Sequence, residues 1–470
     1  MLVTMGDLLA NRIGARGRRL LAPLLFLALL PVGAAAAQEG SEPQTLPPQP
    51  LNVDQAVEYG LAHNPLLRAA DEDFRAADQG VSAARAGFLP RLDTSYSYTN
   101  WQDKPFAKVE QPGGGPTVEY QTSDTHVNHW QAGLSQPLFQ GFGVKAQYEM
   151  AKEQRNIAGY RKTENRLNLV RNIRNAFLQT LLGQRALQVA EESVAQLEAH
   201  LKDAEAFFGQ GLTPRNDVLK ADVALANAKQ QKTSAAKRLV ILRAQLNRLL
   251  GLDEKTELDL AEWSKMPASD DKTDELPSLQ ELSARAERTR PELAAISASI
   301  RETEEGARFA GSTGYPHVSL FTMYYREGGN FAASENDFAN DHNASVGVRM
   351  DWNLFEGGRM RAEISQWYHK RAALKQREQD LLKQIRLEVK DAYEQLQVAR
   401  TNLATARVAV KQAEENLRIT TLQYQEQVVI STEVLDAEVY LTQARTNYYQ
   451  ALYGYQLAWA DLERAVGEPL

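Results

Sequence analysis

No cysteine occurs among the 470 residues. Disulfides, thiol chemistry and cysteine-ligated metals are thereby excluded, and so is lipid attachment to an N-terminal cysteine after processing. Long apolar runs are nearly as scarce. The one concentrated stretch, residues 20–30, is interrupted by Pro23 and is too short to cross a bilayer. Arg12, Arg16, Arg18 and Arg19 precede it and Ala35-Ala36-Ala37 follow it, so residues 1–37 read as a secretory signal rather than an anchor. Residues 38–50 form a proline-rich leader. No later run reaches the roughly 18 apolar residues of a membrane helix, so a mature chain that crosses a membrane must use strands. Positive charge is also short. Without residues 1–37 the chain carries 49 Lys and Arg against 59 Asp and Glu, a net −10, and makes a poor nucleic-acid binder.

What is present is an internal duplication. Asn64-Pro65 matches Arg290-Pro291, and Phe88-Leu89-Pro90 matches Gly314-Tyr315-Pro316, both at a shift of 226. Further on the shift is 216: Leu138-Phe139-Gln140-Gly141 matches Leu354-Phe355-Glu356-Gly357, Asp217-Val218-Leu219 matches Glu433-Val434-Leu435, and Leu250-Gly251 matches Val466-Gly467. The ten extra residues of the first copy fall between Pro90 and Leu138, where residues 112–116 (Pro-Gly-Gly-Gly-Pro) form an exposed loop. One long period used twice is a duplicated unit, not a solenoid. The copies span 51–251 and 278–467, joined by a polar linker at 252–277. Each reads helix, strand, loop, strand, very long helix, break, long helix.

The strands fall at about 90–101, 126–139, 316–326 and 343–354, and they alternate. Ala344, Val346, Val348, Met350, Trp352 and Leu354 share one face, opposite Ser345, Gly347, Arg349, Asp351 and Asn353. Leu92, Thr94, Tyr96 and Tyr98 oppose Asp93, Ser95, Ser97 and Thr99. Trp130, Ala132 and Leu134 oppose His129, Gln131, Gly133 and Ser135. The strand after His317 is less clean, with Phe321 and Met323 on its polar side. Ten to thirteen residues span a bilayer when tilted. Four strands cannot close a barrel, and an open sheet in lipid leaves edge groups unpaired, so several chains must share one; three would give twelve strands.

The helices, at 141–208, 214–250, 357–424 and 432–466, follow a strict seven-residue repeat. Leu382, Val389, Leu396, Leu403, Val410 and Leu417 are accompanied by Ile385, Ala392, Ala399, Ala406 and Ala413; Ala437, Ala444, Ala451, Ala458 and Ala465 mark the return helix. That period implies left-handed supercoiling. About 68 residues without proline give roughly 100 Å of helix. At the first reversal, Gly stops one helix, Thr213 is placed to cap the next and Pro214 to enter its first turn. The second reversal, 425–432, lacks both Gly and Pro. Both reversals must lie at the same end, far from the strands.

In this order and spacing, the Leu-Phe-x-Gly strand exits, the Asn64-Pro65 turn and the Asp217-Val218-Leu219 and Glu433-Val434-Leu435-Asp436-Ala437 helix starts resemble the TolC-like outer-membrane efflux proteins, in their non-acylated branch. The resemblance covers residues 51–467. It implies an α+β membrane protein and a homotrimer: a shared twelve-stranded barrel in the outer membrane of a Gram-negative bacterium, and a coiled-coil helical tunnel in the periplasm. It further implies a passive exit duct for efflux or type I secretion, with no enzyme activity. Its partners would be outer-membrane lipid, a periplasmic adaptor and an inner-membrane pump of the RND or ABC type. By position, Glu433, Asp436 and Asp217 would constrict the periplasmic end, and Gly211, Leu212, Thr213, Val429 and Ile430 would form the tip that meets the adaptor. Lys220 stands where the second copy has Asp436, and Val429 where a basic residue is common. Glu433 is also well placed for a helix start, worth about 0.3–1 kcal/mol. The rival class is a trimeric coiled-coil tether or adhesin without a lumen.

Other chemistry is thin. His126 and His129, three apart on a strand, point to opposite faces and do not share a ligand. Gly113-Gly114-Gly115 lacks the Lys and Ser/Thr of a phosphate loop. The residues suggest no metal site and no cofactor.

Overall fold

The computed structural model describes residues 46–262 and 276–468. The signal expected at 1–37, most of the leader and residues 263–275 of the linker lie outside the described residues. Each copy opens with two helices rather than one: α1 Val53–His63 and α2 Pro65–Ala86, then α5 Leu279–Thr289 and α6 Pro291–Gly311. The residue before proline avoids the helical region, so the chain breaks at Asn64-Pro65 and Arg290-Pro291 and restarts with proline in the first turn. Both α1 and α5 start in a capping box, Asn52 with Gln55 and Ser278 with Glu281.

Strand β1 is Arg91–Asn100; β2 Phe106–Val109 and β3 Val118–Gln121 form a short hairpin; β4 is His126–Gln140. In the second copy β5 is His317–Gly328 and β6 His342–Asp351. The hairpin replaces part of the loop expected around 112–116. β6 stops three residues short of the expected 354. It has one neighbour only, and its pairing ends at Asp351 with His317, the first residue of β5. β4 is flanked on both sides and continues to Gln140 past a bulge between Pro137 and Phe139.

The four long strands form one antiparallel sheet in the order β1-β4-β5-β6. The register places Leu92 beside Leu134, Leu134 beside Thr322, and Thr322 beside Val346, so all alternating apolar sets fall on one face. That face is bare in the single chain: Val346 is 76% exposed and Leu92 75%. The less regular inner side of β5 is explained across the strand. Phe321 lies over Gly347, where a Cβ would come within 2.8 Å of its ring, and under the Arg349 guanidinium at 5.1 Å. Among the described residues, neither outer edge of β1 nor that of β6 has a strand partner.

Two residues after β4, and seven after β6, the chain enters the long helices. Gly141 and Phe142 take φ of 58° and 67°, and Gly357 and Gly358 62° and 87°. This left-handed pair redirects the strand into α3 Gly143–Gly209 and α7 Arg359–Gln425. The returns are α4 Arg215–Leu250 and α8 Ser431–Val466. Two equivalent cores hold the upper ends. In one, Ile173, Leu246 and Leu250 pack with Ala56 of α1; in the other, Val389, Leu462 and Val466 pack with Leu282 of α5. Leu252, Leu258 and Leu260 at the start of the linker join the first core. Toward the reversals the α7 seam thins: Leu403, Val410 and Leu417 are only half-buried.

Candidate functional site at the helix reversals

The two reversals share one backbone design. In the first, Leu212 N donates to Phe207 O and Gly211 N to Phe208 O, both at 2.9 Å; in the second, Val428 N donates to Gln423 O at 2.8 Å and Gln427 N to Tyr424 O at 2.9 Å. These bonds satisfy the last carbonyls of α3 and α7. The residue between must be left-handed. Gly211 takes φ 73° without strain, whereas Gln427 takes 61° with a side chain. The helix cap differs from expectation. α4 begins at Arg215, so the cap position falls on Pro214, which has no side-chain acceptor, and the Thr213 hydroxyl oxygen is buried without a partner. Ile430 caps α8 in the same side-chain-free way. Asp217 and Glu433 therefore both occupy the third helical position, where a negative charge meets the free N–H groups.

The expected acidic residues do not share an environment. Glu433 and Asp436, one turn apart, are exposed on the same side of α8. Asp217 is buried by its own chain, 8% exposed. Lys220 leans back from it, 3.9 Å from Asp217 Oδ1, and donates to Thr432 Oγ1 at 3.2 Å, joining the first-copy tip to the second. Of the expected docking residues, Gly211, Leu212 and Ile430 are exposed, and Thr213 and Val429 are half-buried.

The structure adds a buried polar seam between α3, α7 and α8. His200 Nε2 and Ser431 Oγ are 2.8 Å apart, and the His200 ring lies 4.9 Å from that of Tyr424, which meets Phe207 edge-on at 5.5 Å. Burial lowers the His200 pKa, partly opposed by Asp203 and Asp217, and raises that of Tyr424. Two turns into α8, Glu438 is 4% exposed. It accepts from Thr442 Oγ1 at 3.3 Å, and the Gln196 amide, turned inward, donates to both its oxygens. Burial pushes its pKa up from 4.5 to about 7, against hydrogen bonds from Ser193 and Thr442 and the Arg445 guanidinium, with Glu192 adding to the rise. Arg445 then clasps three helices, donating to Glu192 at 2.6 Å and Glu414 at 3.0 Å. Sequence reasoning passed over this seam, because the pairs that join the two copies, His200 with Ser431 and Glu192 with Arg445, are more than 200 residues apart. A serine opening a long helix and a glutamate among its apolar seam positions were the available signals.

His126 and His129 do lie on opposite faces: His126 Nδ1 is 3.0 Å from the Tyr98 hydroxyl, and His129 is 3.5 Å from Glu327. Among the described residues, no helix is long and apolar enough to cross a membrane, which says nothing of the strands.

The pattern of the family described as "Outer membrane efflux protein" matches residues 57–252 and 282–468, once per copy. Alkaline protease secretion protein AprF of Pseudomonas aeruginosa is 23% identical over 430 residues, 89% of this chain and 84% of that protein. Outer membrane protein TolC of Escherichia coli is 26% identical over 248 residues, 52% of this chain and 49% of that protein. Among solved structures, the outer membrane protein VceC of Vibrio cholerae superposes with a TM-score of 0.72 at 17% identity, covering 89% of this chain and 96% of that one. The duplicated arrangement of barrel strands and long tunnel helices is thus a shared fold. With both copies matched, the chain belongs to the outer membrane efflux protein family and is an exit duct of the outer membrane whose helices reach into the periplasm.

Proposed function

We propose that three copies close one twelve-stranded barrel, that the α3/α4 and α7/α8 pairs of all three build the tunnel wall, and that the duct is passive and coupled to a periplasmic adaptor and an inner-membrane pump. One observation carries this reading: a four-stranded sheet with two edges unpaired among the described residues and a bare apolar face leads through short left-handed turns into helices of 67 residues. In lipid each unpaired edge group costs several kcal/mol, so the edges must meet those of neighbouring copies. The half-buried lower seam of α7 is ready for the same neighbours. Exposed Glu433 and Asp436 constrict the lumen at the tip, with Asp217 behind them as a buried support. Gly211, Leu212, Thr213, Val429 and Ile430 form the apolar knuckles on which the adaptor docks. No catalytic step is part of this reading.

The test is conductance. Purified protein in a planar bilayer is expected to run as a heat-modifiable trimer on gels and to open discrete channels. Replacing Glu433 and Asp436 together by Ala is expected to raise single-channel conductance and weaken block by divalent cations. Unchanged currents would leave the two carboxylates with a helix-start role alone, and a monodisperse monomer without currents would overturn the duct.

A further inference from the structure

The outward face of the sheet is ordered in rows. Counting from the end nearest the helices, one row holds Leu92, Leu134, Thr322 and Val346, and the next Thr94, Ala132, Tyr324 and Ala344. The row after that is different: Tyr96, Trp130, Arg326 and His342 stand side by side across all four strands. Because β5 leaves the helices at His317 and ends at Gly328, this row lies near the far rim, on the extracellular side of the membrane.

Arg326 is out of place by the logic of the rest of the sheet. The strands' other permanently charged residues, Arg91, Asp93, Glu327, Arg349 and Asp351, have the opposite parity and face inward. Several are partnered there: Arg91 with Asp93 at 2.8 Å, Glu327 with His129 at 3.5 Å, Arg349 over the Phe321 ring. On the outward face no strand carries a carboxylate. Arg326 has no ion pair among the described residues, and its Nε is buried without a hydrogen-bond partner. The nearest acid in sequence across the strand, Asp341, is held by His342 Nδ1 at 2.7 Å. A guanidinium on a lipid-facing strand is disfavoured unless it sits at the headgroup level, and there it needs an anion.

We propose that Arg326 and its row form a binding site for the phosphate of an outer-leaflet amphiphile, one per subunit. The guanidinium fork matches two phosphate oxygens, which a single-point cation does not. Trp130 stands beside it and Tyr96 one strand beyond, with rings whose apolar bodies suit the acyl boundary and whose polar edges suit the headgroup layer. Trp130 Nε1 already donates to Thr94 Oγ1 at 3.0 Å and the Tyr96 hydroxyl to Asn128 Oδ1 at 2.8 Å, so the aromatic walls are fixed before a ligand arrives. His342, on the other side of Arg326, adds a polar ring to the row. The site lies two residues from the strand end, about 6–7 Å along β5, above two rows of apolar and small side chains that match the acyl layer.

The proposal rests on the apolar sheet face meeting lipid, and the experiment separates the two. Full-length protein in detergent is mixed with bisphosphorylated lipid A and examined by native mass spectrometry. The expected result is one retained lipid per subunit, with Arg326→Gln raising the half-saturating lipid concentration by about tenfold and Arg326→Lys falling between. Lipid A stripped of its phosphates is expected to bind both proteins equally weakly. Millimolar inorganic phosphate is expected not to displace the lipid; displacement would assign the site to free phosphate and overturn the lipid reading. Equal lipid binding by wild type and Arg326→Gln would overturn the site itself. Conductance of each variant in bilayers reports independently that the barrel still forms, and His342→Gln, with an expected smaller loss, keeps the question open to measurement should Arg326→Gln fail to fold.

Discussion

Asn64 and Arg290 occupy equivalent positions in the two copies and solve one problem with different chemistry. Asn64 Nδ2 donates to Leu249 O at 2.8 Å, while its Oδ1 accepts from Leu66 N at 2.9 Å. Arg290 Nη1 donates to Arg464 O and Ala465 O at 3.3 and 3.1 Å, and Ala465 is the counterpart of Leu249. Each side chain thus feeds the open carbonyls at the end of a return helix. Arg290 also binds Glu292 at 3.1 Å and Glu388 at 2.7 Å while only 5% exposed. Arg290→Ala leaves two carboxylates and two carbonyls short of a partner and is expected to cost about 2–4 kcal/mol, read as trimer dissociation at lower temperature. Arg290→Asn is expected to recover part of that loss by the route Asn64 uses. Wild-type stability in the Ala variant would show the contact to be dispensable. Gln427 offers the opposite case. Gln427→Gly removes the Cβ from a left-handed position and is expected to tighten the second reversal by about 0.5–1 kcal/mol, seen as slower hydrogen exchange at Val428 N. Faster exchange there would refute it.

At the level of elements, the α3–α8 seam carries a titration. Glu438 has its pKa raised by burial from 4.5 to about 7, so the folded seam holds a proton that the unfolded chain releases at lower pH. Its stabilising contribution is complete below pH 4.5, fades as pH rises toward 7 and is gone above it. A shift of this size corresponds to about 3 kcal/mol. Hydrogen exchange in the first turns of α8 is expected to accelerate between pH 5 and 8 beyond its intrinsic rise, and Glu438→Gln is expected to abolish the excess. An identical profile for both proteins would remove Glu438 from the account. Elements set by local periodicity were legible in the chain itself: the alternation of Leu92 to Tyr98 and of Ala344 to Met350, and the heptads of α7 and α8, whereas the break of each opening helix at its proline was not. What depended on partners was not. β6 ends at Asp351 because its neighbour begins at His317, Thr213 misses the cap because α4 starts one residue later, and His200 meets Ser431 only because two copies fold side by side. The pair β2–β3 was hidden by its brevity and its Gly-Pro turn.

For the molecule as a whole, the unpaired margins of β1 and β6 set the conditions of assembly. The absence of cysteine makes this directly testable, since any introduced pair is the only pair. Single cysteines placed along β1 in one set of variants and along β6 in another, then combined, are expected to yield a covalently linked trimer on oxidation for at least one pairing. Only monomeric products across all combinations would mean that the margins do not meet. Efflux and secretion relatives share this fold, so the framework itself does not select cargo.

The same margins bear on heredity. A wall completed only by sisters, as proposed above, would give a defective allele authority over a sound one: a cell making both versions would seal few rings wholly from good material. Lesions in the margins should therefore behave as dominant traits, while lesions that keep a chain from ever joining its sisters should stay recessive.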